Sequence, residues 1–228
     1  MQNRELVANI RAALTSAADQ ERAQGAQAYM KSEMPSLGVR VPEIRRMVKA
    51  AAKEHPPASA AELRDAVLRL WREAEYREER YAAIDLTGLR LVQGDLDMLP
   101  VYEEIIRTGA WWDLVDGVAH RLCGLLLAHR EKMTPVLLAW SGDPDMWIRR
   151  AAITSQLDAK AKTDTVLLAA VIKPNLADKE FFIRKAIGWS LREYSKSDPD
   201  WVRAFAAENV GSLSPLSYKE STRRLPAG

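Results

Sequence analysis

An all-α chain is predicted by three features of the sequence. Apolar residues recur at helical spacing along its length, as in Leu6, Ile10, Ala13 and Leu14. Val and Ile never form a period-two run bounded by hairpin signals, so no sheet is expected. Gly, Pro and Asp punctuate the chain at Gly94-Asp95, Gly142-Asp143-Pro144 and Lys173-Pro174-Asn175, where helices are expected to join.

Taken in order, residues 4–30 carry helical spacing and close on Tyr29 and Met30. A turn follows at Met34-Pro35-Ser36-Leu37-Gly38-Val39, and Pro42 opens a helix at its first position. His55-Pro56-Pro57 ends it, and Ser59 is placed to cap a helix running to Trp71. Helices are then expected over about 77–90, 95–108, 112–128, 131–140, 145–157, 162–173, 179–195, 198–209 and 214–224.

A repeat underlies this succession. The blocks Pro42-Glu-Ile-Arg-Arg-Met, Arg77-Glu-Glu-Arg-Tyr-Ala, Trp112-Asp-Leu-Val-Asp-Gly, Trp147-Ile-Arg-Arg-Ala-Ala and Phe182-Ile-Arg-Lys-Ala-Ile each begin 35 residues after the last. Five helices in one register, separated by partner helices, predict stacked helical pairs of the HEAT or armadillo kind, read as one domain over residues 1–228. The fourth position of the blocks reads Arg45, Arg80, Val115, Arg150 and Lys185. Equivalent positions of a solenoid line up, so this column predicts a basic stripe suited to tracking phosphates. Trp112, Trp147 and Phe182 share the first position, and for Trp147 and Phe182 packing between repeats is the favoured role, since large rings usually bury.

The central block departs from the column. It carries Val115 where its neighbours carry a base, and Asp116 follows. Trp112 and Asp116 are four residues apart, which sets an indole one helical turn from a carboxylate. An acid inside a basic stripe is repelled by the phosphates it sits among, a cost that catalysis would explain. Pairing with an arginine of a neighbouring repeat would explain it equally. Asp113, at the helix opening, suits an N-terminal stabilising role, and His120 reads as a structural histidine.

Composition bounds the rest. Apolar residues are 47% of the chain, which marks a globular protein, and its longest apolar run, Val166 to Ile172, is far short of a membrane span. The N-terminal Met-Gln-Asn-Arg-Glu leads into no signal-peptide core, and Cys123 is the lone cysteine, so a reducing, cytoplasmic compartment is expected. Three histidines (His55, His120, His129) and one cysteine offer no soft-metal cluster, and the glycines form no phosphate-cradling loop. No metal or cofactor is expected. The net charge of +2 is too small to argue for nucleic acid by itself; the placement of charge has to carry that argument.

Three segments extend beyond the repeat pattern: Trp111-Trp112-Asp113-Leu-Val-Asp116, Trp147-Ile-Arg-Arg150-Ala-Ala-Ile, and Phe181 through Trp189, Arg192 and Tyr194. With Tyr29-Met30-Lys31 and the turn at Leu37-Gly38, they resemble the AlkD family of bacterial alkylpurine DNA glycosylases, clearly from about Tyr29 to Tyr194. The resemblance implies a curved HEAT-like solenoid that holds duplex DNA in a concave basic face and acts as a monomer in base excision repair. It implies removal of N3- and N7-alkylated purines without base flipping. By the same resemblance the catalytic carboxylate falls on Asp116, its flanking aromatics on Trp112 and Trp189, and the active-site arginine on Arg150, as a phosphate anchor. Arg192, Tyr29 and the basic column Arg45, Arg80 and Lys185 complete the expected DNA contacts. A relative that binds DNA without excision, or a HEAT-type protein scaffold, are the competing readings.

Overall fold

Short polar side chains set where many of the helices begin. Asp19, Ser59, Asp145, Asp164, Asp198 and Ser214 each accept a hydrogen bond from a backbone N–H of the helix they precede. Such a cap satisfies a donor the helix leaves open and stabilises by about 1 kcal/mol. The structure, a computed structural model, describes residues 2–225, with side chains from Arg4 onward. Among the described residues there is no strand, as the sequence predicts. No helix among them is long and apolar enough to cross a membrane.

The chain packs as two units, Met1–Val101 and Tyr102–Gly228, whose boundary falls inside one helix. The first unit contains α1 (Gln2–Ser16), α2 (Gln20–Met30), α3 (Val41–Glu54), α4 (Ala60–Arg72) and α5 (Arg77–Leu86). Leu6, Ile10 and Leu14 of α1 are fully buried, and α1 packs on α3 and α4. The single helical segment expected over residues 4–30 is divided at Ala17–Asp19. Asp19 caps α2 through the Arg22 N–H, and α2 buries none of its residues.

Glu78 ties the loop between α2 and α3 down. Its buried carboxylate accepts from the Ser36 hydroxyl (2.6 Å) and from the backbone N–H groups of Leu37 (2.9 Å) and Gly38 (2.8 Å). Gly38 has φ +77°, and a Cβ there would lie 2.2 Å from the Asp19 carbonyl oxygen, so the turn depends on glycine.

The second unit contains most of α6 (Leu99–Gly109), then α7 (Trp112–Ala128), α8 (Arg130–Ser141), α9 (Met146–Thr154), α10 (Thr165–Ile172), α11 (Phe181–Tyr194), α12 (Pro199–Glu208) and α13 (Pro215–Thr222). Within it α7 packs on α8 and α9, α9 on α11, and α11 on α13. The five repeated blocks therefore open α3, α5, α7, α9 and α11, each within one residue of a helix start.

One close approach fixes the last pair of helices. A Cβ on Gly188 of α11 would sit 2.5 Å from the Glu220 Cβ and 3.2 Å from the Ser217 carbonyl oxygen of α13. Gly188→Ala would gain about 1 kcal/mol in helix propensity. The clash is with a Cβ and a backbone oxygen rather than a flexible tip, and overpacking of this kind costs about 1–3 kcal/mol. The variant is expected to melt several degrees lower in a thermal denaturation. An equal or higher midpoint would show that α13 shifts at no cost.

Candidate functional site

Asp116 sits on the second turn of α7, one turn after Trp112. Around it the helix is core: Leu114, Val115 and Val118 are fully buried. Val115, the residue that breaks the basic column, is therefore a packing residue, which leaves the next position to face the neighbouring repeat. Arg150 of α9 meets Asp116 there in a bidentate pair, Nε to Oδ1 at 2.8 Å and Nη2 to Oδ2 at 2.7 Å. Its remaining nitrogen, Nη1, donates to the Phe182 carbonyl oxygen at 2.6 Å. The fork geometry matches guanidinium to carboxylate in a plane, the strongest form of such a contact.

The pair is well shielded, with the Arg150 side chain 6% exposed and that of Asp116 16%. Burial pushes the Asp116 carboxyl above the usual carboxylate range; Arg150 pulls it down, but burial outweighs it. The Arg150 guanidinium also lies 6.0 Å from the Trp189 ring of α11. Asp116, Arg150 and Trp189 thus come together from α7, α9 and α11. Trp112 and Trp189 are both partly exposed.

The first-position aromatics divide. Trp147 and Phe182 pack against each other at 5.0 Å between ring centroids, and both meet Trp111, at 6.1 and 5.5 Å. Trp111, the residue before α7, thus belongs to the inter-repeat core, with its buried indole N–H lacking an acceptor. His120 is exposed, and its ring Nδ1 meets the Asp158 carboxylate.

The basic column does not share one environment. Arg45 is 62% exposed, with its Nε 3.5 Å from Asp85. Arg80 lies over the Trp71 ring at 4.8 Å, and burial holds its guanidinium below the usual arginine range. Arg150 is buried in its pair with Asp116, so the phosphate contact expected of it has no nitrogen left unengaged. Lys185 donates to Glu220 of α13 at 3.0 Å, and Arg192 pairs with the same carboxylate. Tyr29, near the end of α2, is 74% exposed.

The sequence reading missed Glu220, although a signal existed: it lies 35 residues after Lys185 and is the sixth member of the column. Its carboxyl is held below the usual range, first by the hydrogen bond from Lys185 and then by the charges of Lys185, Arg192 and Arg223 against the opposing effect of burial.

Comparison with known proteins gives the family. A profile of the DNA alkylation repair enzyme family matches residues 10–225. A predicted DNA alkylation repair enzyme from Enterococcus faecalis is 34% identical, with a TM-score of 0.83 over 92% of this chain and 98% of that one. The Pseudomonas fluorescens alkylpurine DNA glycosylase AlkC, bound to DNA containing an abasic site analogue, is 16% identical, with a TM-score of 0.46 over 98% of this chain and 62% of that one. No curated protein sequence matches. A family profile spanning nearly the whole chain agrees with the resemblance carried by its tryptophan and aspartate motifs, and the chain belongs to the DNA alkylation repair enzyme family.

Proposed function

We propose that the chain is a monofunctional DNA glycosylase that hydrolyses the N-glycosidic bond of N3- or N7-alkylated purines in duplex DNA. The observation that carries this reading is the Asp116 carboxylate, fixed by a bidentate arginine whose guanidinium lies 6.0 Å from the Trp189 ring, in a family of alkylation repair enzymes. Alkylation at N3 or N7 makes the purine cationic, so the C1′–N bond breaks with its electron pair leaving on a neutral base. The sugar becomes an oxocarbenium ion, water adds to C1′ and loses a proton, and an abasic site remains.

Such a reaction needs little acid assistance. It needs a negative group near C1′ in a place where bulk water does not screen it, and shielding gives Asp116 that setting. The ring faces of Trp112 and Trp189 would flank the deoxyribose and favour its positive charge. Arg150 holds the carboxylate in orientation, while Arg192, Lys185, Arg45, Arg80 and Tyr29 are assigned to the duplex. Because the sugar, rather than the base, is held against the carboxylate, the base need not be flipped, and selectivity follows from the lability of the cationic base.

The test is a duplex carrying a single 7-methylguanine, incubated with excess protein. Free 7-methylguanine should appear, with strand breaks only after hot alkali. Breaks without alkali would indicate a lyase. Tight, salt-sensitive binding with no base release would make the chain a non-excising relative, and neither binding nor release would favour a scaffold.

A further inference from the structure

Lys185 and Arg192 stand one side of α11 and are the two cations of the second unit assigned above to the duplex backbone, yet in the structure both are spent on one internal anion. Glu220 accepts from Lys185 Nζ at 3.0 Å and pairs with Arg192 Nη1. The carboxylate is well shielded, 13% exposed, against 21% for Arg192 and 39% for Lys185. Gly188 lets α13 close onto α11, and the Ser217 hydroxyl, itself buried, donates to the Arg184 carbonyl oxygen at 2.9 Å.

The register explains what this anion replaces. Stepping by 35 residues, the column runs Arg45, Arg80, Val115, Arg150 and Lys185, and its next member is Glu220. Where a further repeat would have extended the row of cations, the chain supplies the opposite charge and turns it on Lys185, the last of that row, and on Arg192, two turns further along α11.

We propose that Glu220 is an internal stand-in for a backbone phosphate, which limits duplex affinity by occupying Lys185 and Arg192 until DNA displaces or shares it. The inference rests on the reading that the substrate is duplex DNA. With Glu220 charged, the three side chains present one net positive charge to an incoming phosphate instead of two. Electrostatic affinity for DNA comes from counterions released as phosphates are neutralised. A cation already neutralised from within contributes little to that release, and the partly shielded carboxylate repels the phosphate that would replace it.

The experiment measures Kd for a short fluorescent duplex by anisotropy from about 50 to about 200 mM salt, comparing the parent with Glu220→Gln. The amide keeps the shape and removes the charge. Binding is expected to tighten by about tenfold at the low-salt end, and the slope of log K against log salt to steepen by about 0.9, one additional phosphate equivalent. In a Lys185→Met/Arg192→Met background the same substitution should leave the slope unchanged and tighten binding by far less than in the parent. Glu220→Asp keeps the charge but draws it back by one methylene, so it should tighten binding by a smaller factor; this variant decides the matter if the amide fails to fold. Kd and slope equal to the parent's in both variants, or weaker binding in either, would overturn the proposal and leave Glu220 as a brace for α13. Absence of duplex binding by the parent itself would instead overturn the DNA reading on which the proposal rests.

Discussion

Asp116→Asn is expected to slow single-turnover release of 7-methylguanine by at least about 10²–10³-fold, the range seen when one preorganised electrostatic group is removed from an active site. Two effects add. The substitution removes the negative charge that stabilises the oxocarbenium sugar. It also strips Arg150 of its counter-charge, so a buried guanidinium, held by the Phe182 carbonyl and 6% exposed, would face a developing cation. Duplex binding should survive or tighten slightly, because the protein gains one net positive charge. The two measurements, base release under excess protein and anisotropy with an undamaged duplex, separate the chemistry from the binding. Release at the parent rate would reduce Asp116 to a structural partner of Arg150, the alternative that its sequence context left open.

Much of this site is legible in the sequence because repeats place equivalent residues in equivalent surroundings. The 35-residue step found five helix starts, and Asp116 stood out because it broke the column. What the step does not encode is depth. Arg45 and Arg150 occupy the same position, yet one is 62% exposed and the other 6%, because only Arg150 has a carboxylate one position along the preceding block to draw it in. The tryptophans show a second limit. Adjacent helical residues differ by about 100° in direction, so a shift of one residue in the start of α7 decides which indole enters the core. Trp111 precedes the helix and packs with Trp147 and Phe182, leaving Trp112 partly exposed one turn before Asp116. The sixth repeat faded from view because Ser217 and Glu220 replace the aromatic and basic residues that marked the others. The break at Asp19 was hidden because Ala17-Ala18-Asp19 contains neither Gly nor Pro.

Arg150→Met separates the two roles open to that arginine. If it anchors a phosphate, its loss should weaken duplex binding and flatten the salt slope by about 0.9, with the pH profile of base release unmoved. The geometry favours the other role, in which all three guanidinium nitrogens are engaged inside the protein and the arginine holds Asp116. On that reading the variant leaves a shielded carboxylate with no partner, and breaking one side of such a pair costs about 3–5 kcal/mol of stability. The pH dependence follows in sign. Base release requires the carboxylate, so activity is present above the Asp116 pKa and lost as pH falls through it. Burial already sets that pKa above the ordinary value, and Arg150 is the first group opposing the rise. Removing Arg150 should therefore move the acid limb of the single-turnover profile to higher pH, with activity partly recovered under alkaline conditions. Stability should show the matching trend. A carboxyl whose folded pKa is raised favours the folded state in its protonated form, a contribution present at low pH and lost as pH rises through the folded pKa. The melting temperature of Arg150→Met should accordingly fall furthest below the parent's at neutral and higher pH and approach it in acid. An acid limb that stays in place, together with a flattened salt slope, would return Arg150 to the phosphates.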